Sequence, residues 1–221
     1  MEHFLKILST QQVTHNVRQL RLEKPAGYHF IPGQATEVSI NKPGLETEKR
    51  PFTFTSLNND PYLEFTIKCY TDHDGVTKQI GMLEKGDSLI LDDPWGAISY
   101  QGEGCFIAGG AGITPFMAIF RQLHQDGQLG QNKLYFSNQT AADVIYENEL
   151  RELFGERAKF VLTKEEKKPY LHDYINQAFL KAHIDNFKRP FYICGPDKMV
   201  EEITALVVDS GASPQTVIFE K

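Results

Sequence analysis

The run Cys105-Phe-Ile-Ala-Gly-Gly-Ala-Gly-Ile-Thr-Pro-Phe116 restricts the possible folds of this 221-residue chain more than any other stretch. A continuous apolar segment breaks into glycines and restarts as an amphipathic one, which predicts strand, tight turn and helix start. Gly109, Gly110 and Gly112 remove Cβ atoms where a backbone must pass close to something. Pro115 suits a first helical turn, where its missing N–H costs nothing. A helix that begins at such a turn points unsatisfied N–H groups at an anion, for example a pyrophosphate. From Gly110 the spacing is G-x-G-x-x-P, with proline where the dinucleotide fingerprint carries its last glycine. Taken alone, the turn fits an ordinary strand-to-helix connection as well as a nucleotide cradle.

The residues on either side of this turn follow two different rhythms. Phe4 to Ser9, Val17 to Leu22, Gln34 to Ile40, Phe52 to Ser56, Leu63 to Tyr70 and Ser88 to Asp92 are short, mostly alternating and rich in β-branched and aromatic residues. Turn chemistry such as Ile31-Pro-Gly and Asn41-Lys-Pro-Gly separates them, and one helical stretch, Val76 to Leu83, interrupts them. An antiparallel β-barrel or sandwich is expected. From about residue 100, strand-like Gly104 to Ala108, Lys133 to Asn138, Lys159 to Thr163, Phe191 to Cys194 and Thr216 to Glu220 alternate with helical Pro115 to Gln125, Tyr146 to Phe154, Tyr170 to Ala182 and Asp197 to Ser210. That alternation implies an α/β domain with a parallel sheet. The expected division is 1–99 and 100–221.

A chain of this length can bury about 70% of its unfolded surface, so a substantial core is available. No apolar run approaches the ~20 residues of a membrane span, and the start, Met1-Glu-His-Phe-Leu-Lys-Ile, does not resemble a secretory signal; a cytoplasmic monomer with no membrane partner is expected. The net charge is −6, from 23 basic and 29 acidic residues, without a basic stripe interleaved with aromatics, which argues against nucleic acid. Cys69, Cys105 and Cys194 lie far apart and the seven histidines are scattered, so neither a disulfide framework nor a metal site is expected.

The β half carries its own motif, Arg50-Pro-Phe-Thr-Phe-Thr-Ser56. An arginine fork grips phosphate bidentately and a phenylalanine face accepts a heterocycle. Strand alternation sets Arg50, Phe52 and Phe54 on one side and Thr53 and Thr55 on the other. The same residues also fit a plain core strand with a surface charge. The turn Asp74-Gly-Val-Thr-Lys78 offers N–H groups and a hydroxyl at a helix start, suited to a phosphate or to simple capping.

Together these segments resemble the ferredoxin-NADP reductase family. Arg50-Pro-Phe-Thr53 is similar to its R-x-Y-[ST] flavin signature, and Gly75-Val-Thr77 to its flavin-phosphate turn. Gly109 to Pro115 resembles its nicotinamide-nucleotide turn, and Cys194-Gly-Pro196 its C-G-P segment. Phe30-Ile-Pro-Gly-Gln34 and Phe219-Glu220 fit the same scheme, in the same order along the chain. The resemblance implies an N-terminal flavin-binding β-barrel, a C-terminal nicotinamide-binding domain and hydride exchange between FAD and NAD(P)H. Arg50 and Pro51 would then lie at the flavin phosphate, Phe52 along the ring system and Thr53 near flavin N5. Ile67, Lys68, Gly75, Val76 and Thr77 would line the phosphate side. Gly109, Gly110, Gly112, Ile113, Thr114 and Pro115 would cradle the nicotinamide nucleotide, with Cys194, Gly195, Pro196 and Glu220 beside its ring. The implied catalytic set is Thr53, Cys194 and Glu220.

Two departures from the family pattern bear on function. Phe52 replaces the usual tyrosine, so weaker flavin retention is expected. The chain ends Phe219-Glu-Lys221 without a terminal aromatic, so direct hydride transfer without displacement of a stacked ring is expected. In Ser137-Asn-Gln-Thr-Ala-Ala-Asp143 there is no arginine for a 2′-phosphate and Asp143 adds negative charge, which favours NADH over NADPH. FAD is favoured over FMN. With no iron-sulfur segment, the acceptor is expected to be a separate protein, such as a ferredoxin or flavodoxin, or a small oxidant. A flavin-binding sensor or scaffold without turnover is the alternative, followed by a flavin-free dehydrogenase. The latter would need a catalytic His or Tyr-Lys pair near Thr114 that the sequence lacks.

Overall fold

Six antiparallel strands follow one another through the first ninety residues of the computed structural model, which describes residues 1–70, 75–96 and 98–219. They are β1 (His3–Thr14), β2 (Val17–Glu23), β3 (Ala35–Ile40), β4 (Arg50–Thr53), β5 (Tyr62–Lys68) and β6 (Ser88–Leu91), in the order β4-β3-β6-β1-β2-β5. The two edge strands meet, because the chain running on from β4 pairs Phe54 with Phe65 of β5 and Thr55 N–H donates to the Glu64 carbonyl at 2.8 Å. The sheet thereby closes into a barrel, one of the two architectures that the strand spacing left open and the one that the resemblance implied, and closure covers the edges where β4 and β5 end the sheet.

Alternation explains which side chains fill this barrel. On β1, Leu5 and Ile7 point inward and Phe4 and Lys6 outward, and the inward set joins Leu20, Leu22, Phe65, Leu89 and Leu91 around a fully buried Phe54. Phe30 stacks on Phe54 with ring centroids 4.3 Å apart. Helix α1 (Val76–Ile80) adds Val76 and Ile80, one turn apart, to the same core. It is shorter than the Val76 to Leu83 expected, since Gly81 follows and the chain turns through Met82 and Leu83.

The rest of the chain builds an all-parallel sheet. Its elements are β7 (Cys105–Gly109), α2 (Thr114–Gln125), β8 (Lys133–Asn138), α3 (Glu147–Phe154), β9 (Ala158–Leu162), β10 (Leu171–His172), α4 (Gln177–His183), β11 (Phe191–Cys194), α5 (Asp197–Asp209) and β12 (Val217–Phe219). The strand order is β10-β9-β8-β7-β11-β12. Every residue of β7 and β11 is buried, as a parallel strand covered on both faces requires. The order reverses between β7 and β11, and ligands of open α/β sheets bind at the carboxyl ends of strands beside such a reversal.

The helix expected over Tyr170 to Ala182 is a correction. Leu171 and His172 pair in parallel with Val161 and Leu162 as the edge strand β10, so sheet hydrogen bonds claim this backbone. The helix starts only after Asn176, whose side-chain oxygen accepts from Phe179 N–H at 2.9 Å and caps the first turn. The chain packs as two units, Met1–Gly96 with Thr114–Gln122, and Ala97–Ile113 with Leu123–Lys221. The first two and a half turns of α2 therefore pack with the barrel.

Candidate functional site

In the second unit, in-register pairing of Ala108 with Cys194 brings two turns together at the strand-order reversal. One is the 3-10 turn Gly110–Ile113 that leads into α2, and the other is Gly195-Pro196, which leads into α5. Their backbones touch. A Cβ on Gly112 would sit within the van der Waals envelope of the Cys194 carbonyl and 2.6 Å from the Gly195 nitrogen, and one on Gly109 would lie 3.1 Å from Pro196 Cδ. Gly110 differs, with φ of +53° and open space around its missing Cβ. The structure thus joins Gly109, Gly110, Gly112, Ile113, Cys194, Gly195 and Pro196 in one cradle, with Thr114 and Pro115 continuing the chain into α2. Cys194 is buried there.

Beside this cradle, β8 ends at Asn138, one residue past the pairing of Ser137 with Gly109. Asn138 is 5% exposed, and among the described residues both polar atoms of its carboxamide lack a hydrogen-bond partner. An unpaired buried polar group is costly, so an amide left open at the carboxyl edge of a switch-point strand has the chemistry of a ligand contact. In the following turn, Asp143 Oδ2 accepts from Thr140 N–H at 2.9 Å and from Thr140 Oγ1 at 2.7 Å, and Glu165 Oε2 accepts from Ala141 N–H at 2.7 Å. Two carboxylates therefore occupy backbone and hydroxyl donors of the turn that follows β8.

In the first unit, β4 presents Arg50 half-exposed. Its guanidinium donates to the Lys49 carbonyl at 2.7 Å and has Glu48 at 3.7 Å. Pro51 is exposed, Phe52 packs against the barrel core and Thr53 is buried. The expected two-sided alternation is only part of the picture, since Thr53, Phe54, Thr55 and Ser56 are all buried where the strand crosses from β3 to β5. Ile67 is buried, and the Lys68 ammonium lies 5.5 Å from the Tyr70 ring centroid. Gly75 stands at the N-cap of α1, where it has no side chain to cap the first turn that Val76 and Thr77 begin. Asp74 and Glu220 lie outside the described residues.

Sequence reasoning missed a charged cluster beneath the Arg50–Ser56 strand. Glu64 of β5 is 2% exposed and accepts from Arg21 Nε at 2.9 Å, from Arg121 Nη1 at 2.8 Å and from Thr55 Oγ1 at 3.0 Å. The available signal was a glutamate inside the apolar run Tyr62-Leu-Glu-Phe-Thr-Ile67, which is unusual for a strand that faces a core.

The residues fit the groups that the motifs imply. A half-exposed guanidinium, a flat aromatic and a helix start at a glycine suit a phosphate-bearing ring system. A glycine cradle with an open carboxamide suits a nucleotide. Among the described residues, no helix is long and apolar enough to cross a membrane, and no group of three or more His, Cys, Asp or Glu side chains could hold a metal ion.

Comparison with known proteins gives the same division of labour. Residues 3–96 match the FAD-binding domain model and residues 106–205 the oxidoreductase NAD-binding domain model. The chain is 28% identical to the propane 2-monooxygenase reductase component of Rhodococcus jostii, covering 98% of this chain but 62% of that protein. It is 26% identical to NADH-cytochrome b5 reductase 1 of Rattus norvegicus, over 90% and 79% of the two chains. Among solved structures, the CS-b5R domains of human Ncb5or superpose with a TM-score of 0.87 at 25% identity, covering 100% of this chain and 70% of that one. A ferredoxin NADP+ reductase of Neisseria gonorrhoeae gives 0.85 at 20% identity over 99% and 98%, a likeness of fold. The chain thus carries an FAD-binding domain followed by an oxidoreductase NAD-binding domain, in the two-domain fold of the ferredoxin-NADP reductase-like proteins.

Proposed function

We propose that this chain takes hydride from NADH onto FAD and passes the electrons to a separate acceptor. The observation that carries this reading is the pairing of two motifs: the Arg50–Thr53 strand on a closed barrel, and the glycine turn locked against Cys194-Gly195 at the reversal of a parallel sheet. FAD, when bound, supplies the hydride-accepting chemistry, and the protein supplies binding, orientation and exclusion of water. Arg50 would hold the flavin phosphate together with the Gly75–Thr77 turn. Phe52 would pack along the ring system, and Thr53 would offer its hydroxyl to the flavin. Gly110, Gly112 and Thr114 would cradle the nucleotide, and Cys194 would line its nicotinamide side. The barrel is read as the flavin domain (1–99) and the parallel sheet as the nucleotide domain (100–221).

The preference for NADH rests on Asp143 and Glu165. Both carboxylates sit on the N–H groups of the turn after β8, where a 2′-phosphate would meet negative charge instead of donors. The expected kcat/KM is higher with NADH than with NADPH, and the reverse order would overturn this part. Relatives named as reductases of a monooxygenase and of cytochrome b5 support a protein acceptor, either an oxygenase component or a haem protein.

The central test is anaerobic titration of the FAD-loaded protein with NADH. Loss of the flavin's visible absorbance is expected. A bound flavin that does not bleach would instead establish the sensor reading.

A further inference from the structure

The glutamate at the base of the flavin-motif strand is gripped by an arginine from the helix that follows the glycine turn. Arg121 lies seven residues after Thr114, two turns into α2, in the part of that helix that packs with the first unit. One guanidinium nitrogen, Nη1, donates both to Glu64 Oε1 at 2.8 Å and to the Thr55 carbonyl at 2.6 Å. Glu64 and the strand are bound reciprocally: Thr55 N–H donates to the Glu64 carbonyl at 2.8 Å, and Glu64 N–H donates to Ser56 Oγ at 2.9 Å. Thr55 is two residues past Thr53 and fully buried.

A buried ion pair is weak evidence for stability, because desolvation offsets much of the attraction and apolar replacements are often neutral or better. Its distinctive property is directionality. Arg121 Nη1 reaches a carboxylate oxygen and a carbonyl oxygen at once only in one register of α2 on the barrel.

We propose that Arg121 is a positioning residue for hydride transfer: through Glu64 and the Thr55 carbonyl it locks the start of α2, and with it Thr114, to the strand that bears Arg50 and Thr53. This rests on the function proposed above. Reactions between two bound partners lose up to ~100-fold in rate for an ångström of misplacement, so a slipped α2 should lower the transfer rate before it lowers affinity.

The test uses Arg121→Met, Arg121→Lys and the double variant Arg121→Met/Glu64→Gln, which leaves no lone buried carboxylate. Two readouts are taken: rapid-mixing hydride transfer in the FAD-loaded protein, and hydrogen exchange of the α2 amides in the apoprotein. Arg121→Met is expected to slow transfer ~10- to 100-fold, with the KM for NADH changed less than about threefold, and to speed exchange over 114–122. Arg121→Lys should recover part of the rate, and the double variant should recover thermal stability but not rate. A double variant that recovers both, or Arg121→Met with unchanged rate and exchange, would overturn the proposal. If wild type fails to transfer hydride at all, the functional reading fails; the anchoring is then decided by exchange alone, and unchanged protection in Arg121→Met refutes it.

Discussion

Replacing Gly112 with alanine tests the cradle directly, because the new methyl would meet backbone and not a flexible side-chain end. It would lie 2.6 Å from the Gly195 nitrogen and closer still to the Cys194 carbonyl, whereas ordinary contact begins at 3.4 Å. About an ångström of movement is needed from a turn anchored by Tyr192 and Ile193, both fully buried. Overpacking of this kind costs about 1–3 kcal/mol, which for a chain of this size corresponds to a Tm lower by about 2–12 °C. The same shift pulls apart the two turns proposed to meet the nucleotide, so NADH affinity should fall together with stability. Gly110→Ala is the control. Nothing lies within 4 Å of its missing Cβ, so only the left-handed φ of +53° is strained, at about 1–2 kcal/mol. On the proposed reading its methyl enters the nucleotide's space, so affinity should fall by more than stability. Thermal unfolding and NADH titration of both variants are the assays. Gly112→Ala melting within about 1 °C of wild type would refute the claim that these turns are packed against each other.

Other residues yield sharp expectations. Arg50→Ala should weaken FAD binding by about 10- to 150-fold, the value of one charge-assisted hydrogen bond at about 1.5–3 kcal/mol. The apoprotein melting temperature should not move, since the side chain is half-exposed and its carboxylate neighbour is 3.7 Å away. Asn138→Leu removes a buried amide that has no partner among the described residues, so the apoprotein should melt higher while NADH dissociates faster; a lower melting temperature would mean that the amide is satisfied without ligand. Stability should also decline in alkali. Burial raises the Cys105 thiol from 9.0 to about 11 and the Tyr28 and Tyr192 hydroxyls from 10.0 to about 12. With folded values above unfolded ones, the unfolded chain loses these protons first. The stabilisation is therefore complete below about pH 9 and is lost as pH rises toward 12, which urea titrations at pH 8 and 11 would show.

The sequence by itself determined the sheet architecture of each half and the order of the motifs, because strand alternation, glycine turns and strand-helix alternation are local patterns that backbone sterics enforce. Cys105 to Pro115 was legible as a strand entering a helix for that reason. What lay beyond it depended on residues distant in sequence. The segment at Leu171 looked helical until pairing with Val161 and Leu162 took its backbone into the sheet. Glu64 meets Arg21 across 43 residues and Arg121 across 57, so no spacing rule announces the cluster. The unpartnered amide of Asn138 is likewise a property of its surroundings, invisible in a string where asparagine reads as a turn residue. Local chemistry chose the elements; only packing decided which charges and amides were buried together, since burial is where an unpaired polar group becomes expensive.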